Sequence, residues 1–283
     1  MRSSPWLKNV VNYTMFAFTG LCAFFAVGVL FFILGYLAVH GARSLSLSFF
    51  TNLPAPVGDV GGGMANAILG SGKVLLMATA IGIPIGFIGG VYLSEYSQKI
   101  PAFVIRYTTD LLNGVPSIVI GIVVFGLVVH PMGHFSTFAG GVALGIMMIP
   151  ISVRSTEEFL HAVPVSLREA GLALGAPKWK MIATVVIPAA MRGIISGTML
   201  DIARVAGETA PLLFTALGNQ FWSPGWNQPT ATLPVMIYTY AIGPYEDWHR
   251  QAWAGGFVLL TLVLLINIVA RLALSKGTYV PRG

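Results

Sequence analysis

Long apolar runs, separated by short polar stretches, dominate the pattern of this chain. Six stand out, at residues 15–39, 68–93, 111–129, 138–153, 193–217 and 253–274. Most approach or exceed the ~20 residues that a helix needs to cross the hydrocarbon core of a bilayer. Their apolar positions are continuous rather than alternating. They therefore predict transmembrane helices and not barrel strands, in which lipid-facing and lumen-facing residues alternate. The fourth run is short and closes on "MMIPISVRS", so its end is the least defined of the six. The first, preceded by Arg2 and Lys8, has the outline of a signal peptide. Its apolar stretch is too long for one and no small-residue cleavage pattern follows, so an uncleaved span is expected.

The polar stretches set the orientation, because lysine and arginine collect on the cytoplasmic side. With the N-terminus inside, that side holds Arg2, Lys8, Lys99, Arg106, Arg154, Arg168, Lys178, Lys180, Arg192, Arg271, Lys276 and Arg282. The outer side holds Arg43, Lys73 and Arg250, and Arg204 falls within a span. Both termini are therefore placed inside. The expected fold class is all-α, a polytopic membrane protein of six transmembrane helices with cytoplasmic termini.

Composition agrees. The 283 residues are 55% hydrophobic and only 9% charged, where a soluble domain carries about 25% charged residues. Mean hydropathy is +0.79 and the pI is near 9.6. The formal charge of +6 does not point to nucleic acid, since the basic residues are scattered among loops and not gathered on one polar face. The single cysteine, Cys22, permits neither an intrachain disulfide nor a cysteine-based metal site. Glycine is abundant, at 33 residues, as in "GGVALG" and "GIVVFG", which suits close helix–helix contact.

Several motifs dissolve on inspection. "ANAILGSGKV" approaches a phosphate-binding P-loop, but Ala67 stands at the first glycine position and Val74 at the hydroxyl position, and no strand precedes it. No ATP site is expected there. The histidines (His40, His130, His134, His161, His249) form no His-Glu-x-x-His pair, and Pro131 and Gly133 lie between His130 and His134. No metal, no cofactor and no catalytic residue is expected.

Charges inside the apolar runs are the candidate chemistry. An arginine at mid-span costs about 2.5–3.5 kcal/mol on insertion scales, so it needs partners or water. Asp201, Arg204 and Glu208 are spaced i, i+3 and i+7, which predicts one helical face. Two readings follow: an ion pair that is purely structural, or a water-lined path in which the guanidinium fork meets an oxyanion while the carboxylates keep binding weak enough for release. Arg154, Glu157 and His161 repeat the one-face spacing where the fourth span meets the cytoplasm.

The segment "REAGLALGAPKWKMIATVVIPAAMRG" (168–193) places charges, glycines and prolines between two apolar runs, on the cytoplasmic side. Glu169, Ala170 and Gly171 are followed by three residues and Gly175, then nine residues and Val185-x-Ile187-Pro188. A short helix ending at Gly175, with a turn through Ala176 and Pro177, predicts a compact knob. Lys178, Trp179 and Lys180 add charge and an aromatic anchor. The plainer alternative is an amphipathic helix lying on the membrane surface.

This spacing resembles the EAA loop of the membrane permeases of ABC importers, EAA-x3-G-x9-I-x-L-P. Gly171, Val185 and Ile187 are its departures. "GGVYLSEY", "LNGVPSIVIGIVVFG", "RSTEEFL" and "ARVAGETAPLLFTALGNQFW" extend the likeness over most of residues 64–275 and narrow it to the phosphate-specific (PstA type) permeases. The sister permease (PstC type) is similar in outline, and the "GETAPLLFTALGNQFW" run separates the two. The resemblance implies the type I ABC importer permease fold and a non-catalytic subunit that moves inorganic phosphate across a bacterial inner (plasma) membrane. Implied partners are the second permease, a dimeric ATP-binding subunit (PstB type), an external phosphate-binding protein (PstS type) and membrane lipid, with no nucleic acid. It also implies functional roles for Arg154, Glu157 and Arg204, with Asp201 and Glu208 beside the path. ATPase coupling falls to Glu169, Ala170, Gly171, Gly175, Pro177, Lys178, Ile187 and Pro188. The expected organisation is an N-terminal tail, first helix and outer loop at 1–63, a permease core at 64–275 with its coupling loop at 165–193, and a cytoplasmic tail at 276–283. The segment 219–251, with Trp222, Trp226, Trp248 and its prolines, reads as a dock for the binding protein or as an interfacial aromatic belt. The competing classes are a secondary anion transporter or channel using the same arginines, which needs no ATPase dock, and a membrane enzyme, for which no nucleophile–base pair is present.

Overall fold

A computed structural model describes residues 5–56, 59, 61–96 and 100–275. Arg2, Lys99, Lys276 and Arg282 of the orientation argument, and the expected tail at 276–283, lie outside the described residues. The described residues are helical, and their single extended pairing is an isolated bridge between Pro54 and Gly62. Five stretches are long and apolar enough to cross a membrane: Lys8–Ser44, Ala65–Glu95, Thr137–His161, Lys178–Ala206 and Glu246–Val269. A helix pair bent by 105°, Ile100–Gly114 with Ser117–Met132, makes up the sixth that the hydropathy pattern predicts when it is counted as one broken span.

The first helix, α1 (Pro5–Ser44), packs chiefly on the last one, α13 (Glu246–Ser275). Tyr36, His40 and Trp253 stack where the two approach. A short α2 (Leu47–Thr51) follows, with the Ser46 side chain accepting from the Phe49 N–H to cap it.

The heart of the molecule is the pair α3 (Ala65–Glu95) and α7 (Thr137–His161), which run parallel in close contact. Small residues make this approach possible. A Cβ at Gly82 would sit 2.6 Å from the Met148 Cβ, and one at Gly90 would sit 2.5 Å from the Thr156 Cβ. Gly86 lies equally tight against Ser152, and Gly141 and Gly145 of α7 receive Met77 and Ile81. Dispersion between backbones brought this close holds helices together where lipid offers no hydrophobic drive. The "GGVALG" glycines thus serve packing, as does Gly121 against Pro211, whereas Gly126 of "GIVVFG" has nothing within 4 Å.

Two expected spans differ in form. The run 111–129 is not a straight span. α4 (Ile100–Gly114) is amphipathic and carries Arg106 and Asp110, and the crossing begins at α5 (Ser117–Val124). Pro116 explains the elbow, because a proline drives its predecessor, here Val115, out of the helical region. The run 193–217 belongs to a helix that starts earlier and stops short. It comprises α9 (Lys178–Met181), a π-helical turn (Ile182–Val186) and α10 (Ile187–Ala206). Gly207 ends it, and the chain continues through the short α11 (Ala210–Leu213) to Leu217, whose φ is +60°. α5 likewise passes through a π-helical turn (Phe125–Val129) into α6 (His130–Met132). Both π turns end just before a proline, Pro131 or Pro188. The missing N–H and the bulky ring of proline disrupt the i−4 carbonyl of an α-helix, and widening the turn accommodates it.

The segment 219–251, expected as a dock or an aromatic belt, is a fixed part of the bundle. It is fastened down by Lys73 Nζ donating to the Ser223 and Pro224 carbonyls at 2.5 and 3.2 Å, and by Asn66 Nδ2 donating to Asn219 O at 2.6 Å. It then forms α12 (Leu233–Ala241), whose Leu233, Met236 and Tyr240 are buried, and Trp248 stacks on Tyr240 at 4.7 Å between centroids. Trp222 and Trp226 remain partly exposed.

Candidate functional site

The two interruptions just described meet. The elbow between α4 and α5 and the end of α10 enclose a cavity of about 190 Å³ lined by Asn113, Val115, Ser117, Arg204, Glu208 and Met147, among others. Met147 and Ile151 lie near the middle of α7, so the cavity lies deep within the span region. Irregular backbone at such depth is tolerated where it is buried in protein or lines a wet cavity. The loose turns are partly satisfied locally: the Glu208 N–H donates to Val205 O at 3.1 Å, and the Val119 N–H to Pro116 O at 3.0 Å.

The three expected charges do not share one helical face. α10 ends at Ala206, so Glu208 lies beyond the helix, and the i, i+7 argument fails for it. Asp201 is buried at 4% exposure with Oδ2 unpartnered, whereas Arg204 is exposed on the surface of the single chain. Among the described residues Arg204 has no carboxylate within 4.0 Å. The cavity nevertheless brings Arg204 and Glu208 to one wall. Arg204, Glu208, Ser117 and Asn113 line the same cavity, and a guanidinium, a carboxylate, a hydroxyl and an amide together form a group set that suits loose binding of a small oxyanion.

The second station is also rearranged. Glu157 is buried, and its carboxylate pairs with Arg106 of α4, with His161 Nε2 at 3.7 Å. Arg154 faces Asp110 at 3.9 Å and Glu158 at 3.5 Å. Arg154 and Glu157 are therefore not partners; each reaches across to α4. Neither Arg106 nor Asp110 was singled out as a site residue from the sequence, although their i, i+4 spacing and the "IPAFVIRYTTDLLNG" pattern were available signals.

The segment 165–193 forms the predicted knob. α8 (Val165–Ala173) carries Glu169 and Ala170, both exposed, and Gly171, buried against Met181. Gly175 adopts φ +78°, the left-handed conformation that lets the chain reverse at a helix end. Its N–H donates to Leu172 O at 2.9 Å, and Pro177 caps α9. Leu174 and Trp179 project at 89% and 68% exposure, apolar surface that a partner cleft can cover. Lys178 points elsewhere: its Nζ donates to Glu95 O at 2.6 Å and lies 4.2 Å from the Tyr96 ring centroid. Ile187 and Pro188 open α10 immediately after the π turn.

The architecture, a bundle of helices with broken spans, is shared with known transporters. A methionine ABC transporter, MetNI, in inward-facing form superposes with a TM-score of 0.62 at 20% identity, over 76% of this chain and 97% of the other. An amino acid ABC transporter superposes at 0.59 and 18% identity, over 75% and 92%. The fold is therefore the type I permease fold of ABC importers. The family model of the binding-protein-dependent transport system inner membrane component matches residues 82–275. A relative from Yersinia pestis named phosphate transport system permease protein PstA is 48% identical over 87% of this chain and 84% of its own. One of the same name from Pasteurella multocida is 42% identical over 94% and 95%. The chain belongs to the family of binding-protein-dependent transport system inner membrane components and, within it, to the PstA permeases.

Proposed function

We propose that the chain is one of two permease subunits of an ATP-driven importer of inorganic phosphate in a bacterial inner membrane. Residues 64–275 form its permease core. The observation that carries this reading is Arg204, an arginine at the end of an apolar span with no carboxylate within 4.0 Å among the described residues, where two helix breaks meet on the exposed side of the chain. One such wall is half a passage. A homologous second permease of PstC type supplies the other half and covers the exposed guanidinium. A PstS-type binding protein delivers phosphate from outside, and a PstB-type ATPase pair grips the knob 165–193. The anion passes Arg204, tempered by Glu208 and Asp201, and then Arg154 and Glu157 nearer the cytoplasm, where Arg106 and Asp110 share the charge. Catalysis belongs to the ATPase; this chain binds, guides and transmits.

Reconstitution into liposomes tests the assignment. Saturable, ATP-dependent phosphate uptake is expected from the full set of subunits and not from this chain alone. Uptake or ATP turnover by the isolated chain refutes it.

A further inference from the structure

We infer that Arg168 and Glu95 form a strut that carries motion of the coupling knob into the α3–α7 pair. The inference rests on the reading of that knob as the ATPase dock. Arg168 begins the knob on α8, yet its guanidinium points away from the knob surface. One arm pairs with the Glu95 carboxylate at the end of α3, and Nη2 donates to Leu160 O in the last turn of α7 at 2.6 Å. The side chain thus bridges three elements. Lys178, on the far side of the Gly175 turn, ties to the same place through Glu95 O and the Tyr96 ring. The knob is held at both its edges to one point.

Burial makes this linkage stiff. The side chains of Glu95 and Arg168 are 5% and 17% exposed. Separating them strands a carboxylate out of water with no partner, which is far costlier than opening a surface pair. Cations at the C-terminal end of α3 also meet the negative end of its dipole. The knob therefore cannot shift without moving α3, and α3 meshes with α7 through its glycines. Arg168 and Glu95 are positioning residues: neither reaches the cavity at Arg204, and Glu95 lies off the exposed knob face.

The test is phosphate taken up per ATP hydrolysed by the complete complex in liposomes, a ratio that does not change with the amount of assembled protein. Glu95→Gln removes the charge, and loss of a buried pair predicts a fall of about tenfold in the ratio. Arg168→Lys keeps the charge but not the fork, and a fall of about threefold is expected. The exchanged pair Glu95→Arg with Arg168→Glu restores the ion pair but not the bond to Leu160 O, since a carboxylate cannot donate, so it should recover only part of the loss. An unchanged ratio in Arg168→Lys overturns the strut, and that variant decides alone where Glu95→Gln does not assemble. Import by the wild-type complex without ATP consumption in the same assay would instead overturn the underlying reading of the knob.

Discussion

Replacing Arg204 separates three roles that a membrane arginine can have. Its donors are free of carboxylates within 4.0 Å among the described residues, so they are available to a ligand. Hydrogen bonds to a charged group contribute about 1.5–3 kcal/mol each. A two-pronged grip on phosphate oxygens loses about one such bond in Arg204→Lys, a loss of about tenfold in uptake at 1.4 kcal/mol per decade. Arg204→Gln loses the charge and both charge-assisted bonds, about 3 kcal/mol or more, and uptake should fall about a hundredfold. Neither variant breaks an ion pair closer than 4.0 Å among the described residues, so the amount of assembled complex should stay near that of wild type. The assay is initial phosphate uptake divided by assembled complex in the membrane, with capture by the external binding protein measured in parallel and expected unchanged. Full normalised uptake in Arg204→Gln refutes the path reading. A reduced protein level with normal normalised uptake assigns Arg204 to structure instead.

In the knob, Gly175→Pro loses the left-handed turn at φ +78° and Glu169→Lys reverses an exposed charge; each should uncouple stimulated ATP hydrolysis while the subunit stays in the membrane, read as ATPase rate with and without loaded binding protein. Gly86→Leu forces a side chain into Ser152 of α7 and should cost about 1–3 kcal/mol or more of packing, seen as a lower yield of assembled complex at ordinary expression. Arg106→Gln leaves the buried Glu157 carboxylate without its guanidinium, whereas Glu157→Gln keeps a hydrogen-bond acceptor for Arg106. The first should therefore lower thermal stability of the detergent-solubilised complex more, by about 1–3 kcal/mol. Equal effects refute that order.

The crossings were legible because six apolar runs and the bias of Lys8, Arg154, Arg168 and Lys178 to one side are properties of single residues and their neighbours. Gly175 was legible for the same reason: a helix-stop glycine followed by Pro177 is local chemistry. The elbow at Val115–Pro116 was written in the sequence, but the apolar run through it outweighed the proline. The stop at Gly207 was hidden by the apolar residues that follow, and with it went the shared face of Arg204 and Glu208. The partners that charged residues find on other helices could not be read. Arg106 finds Glu157 51 positions away and Arg168 finds Glu95 73 positions away, and only the packing of α3, α4, α7 and α8 brings them together. Arg204, placed by its span, was expected to need partners or water; within one chain it is exposed, and in the proposed assembly a second subunit covers it.

The glycine mesh limits the motions open to this subunit. Gly82, Gly86 and Gly90 recur every four residues along α3, each seated on a side chain of α7. Sliding one helix by a single residue, about 1.5 Å, would carry larger neighbours into those seats. The next matching register lies four residues on, about 6 Å away. Small continuous shear is therefore blocked, and the pair behaves as one rigid plate. Opening and closing must be taken up where no mesh exists: at the 105° elbow before Ser117, at Gly207, and at the two widened turns ahead of Pro131 and Pro188. The compliance of the subunit is thus concentrated around the plate's edges, with the cavity at Arg204 sitting between two of the joints.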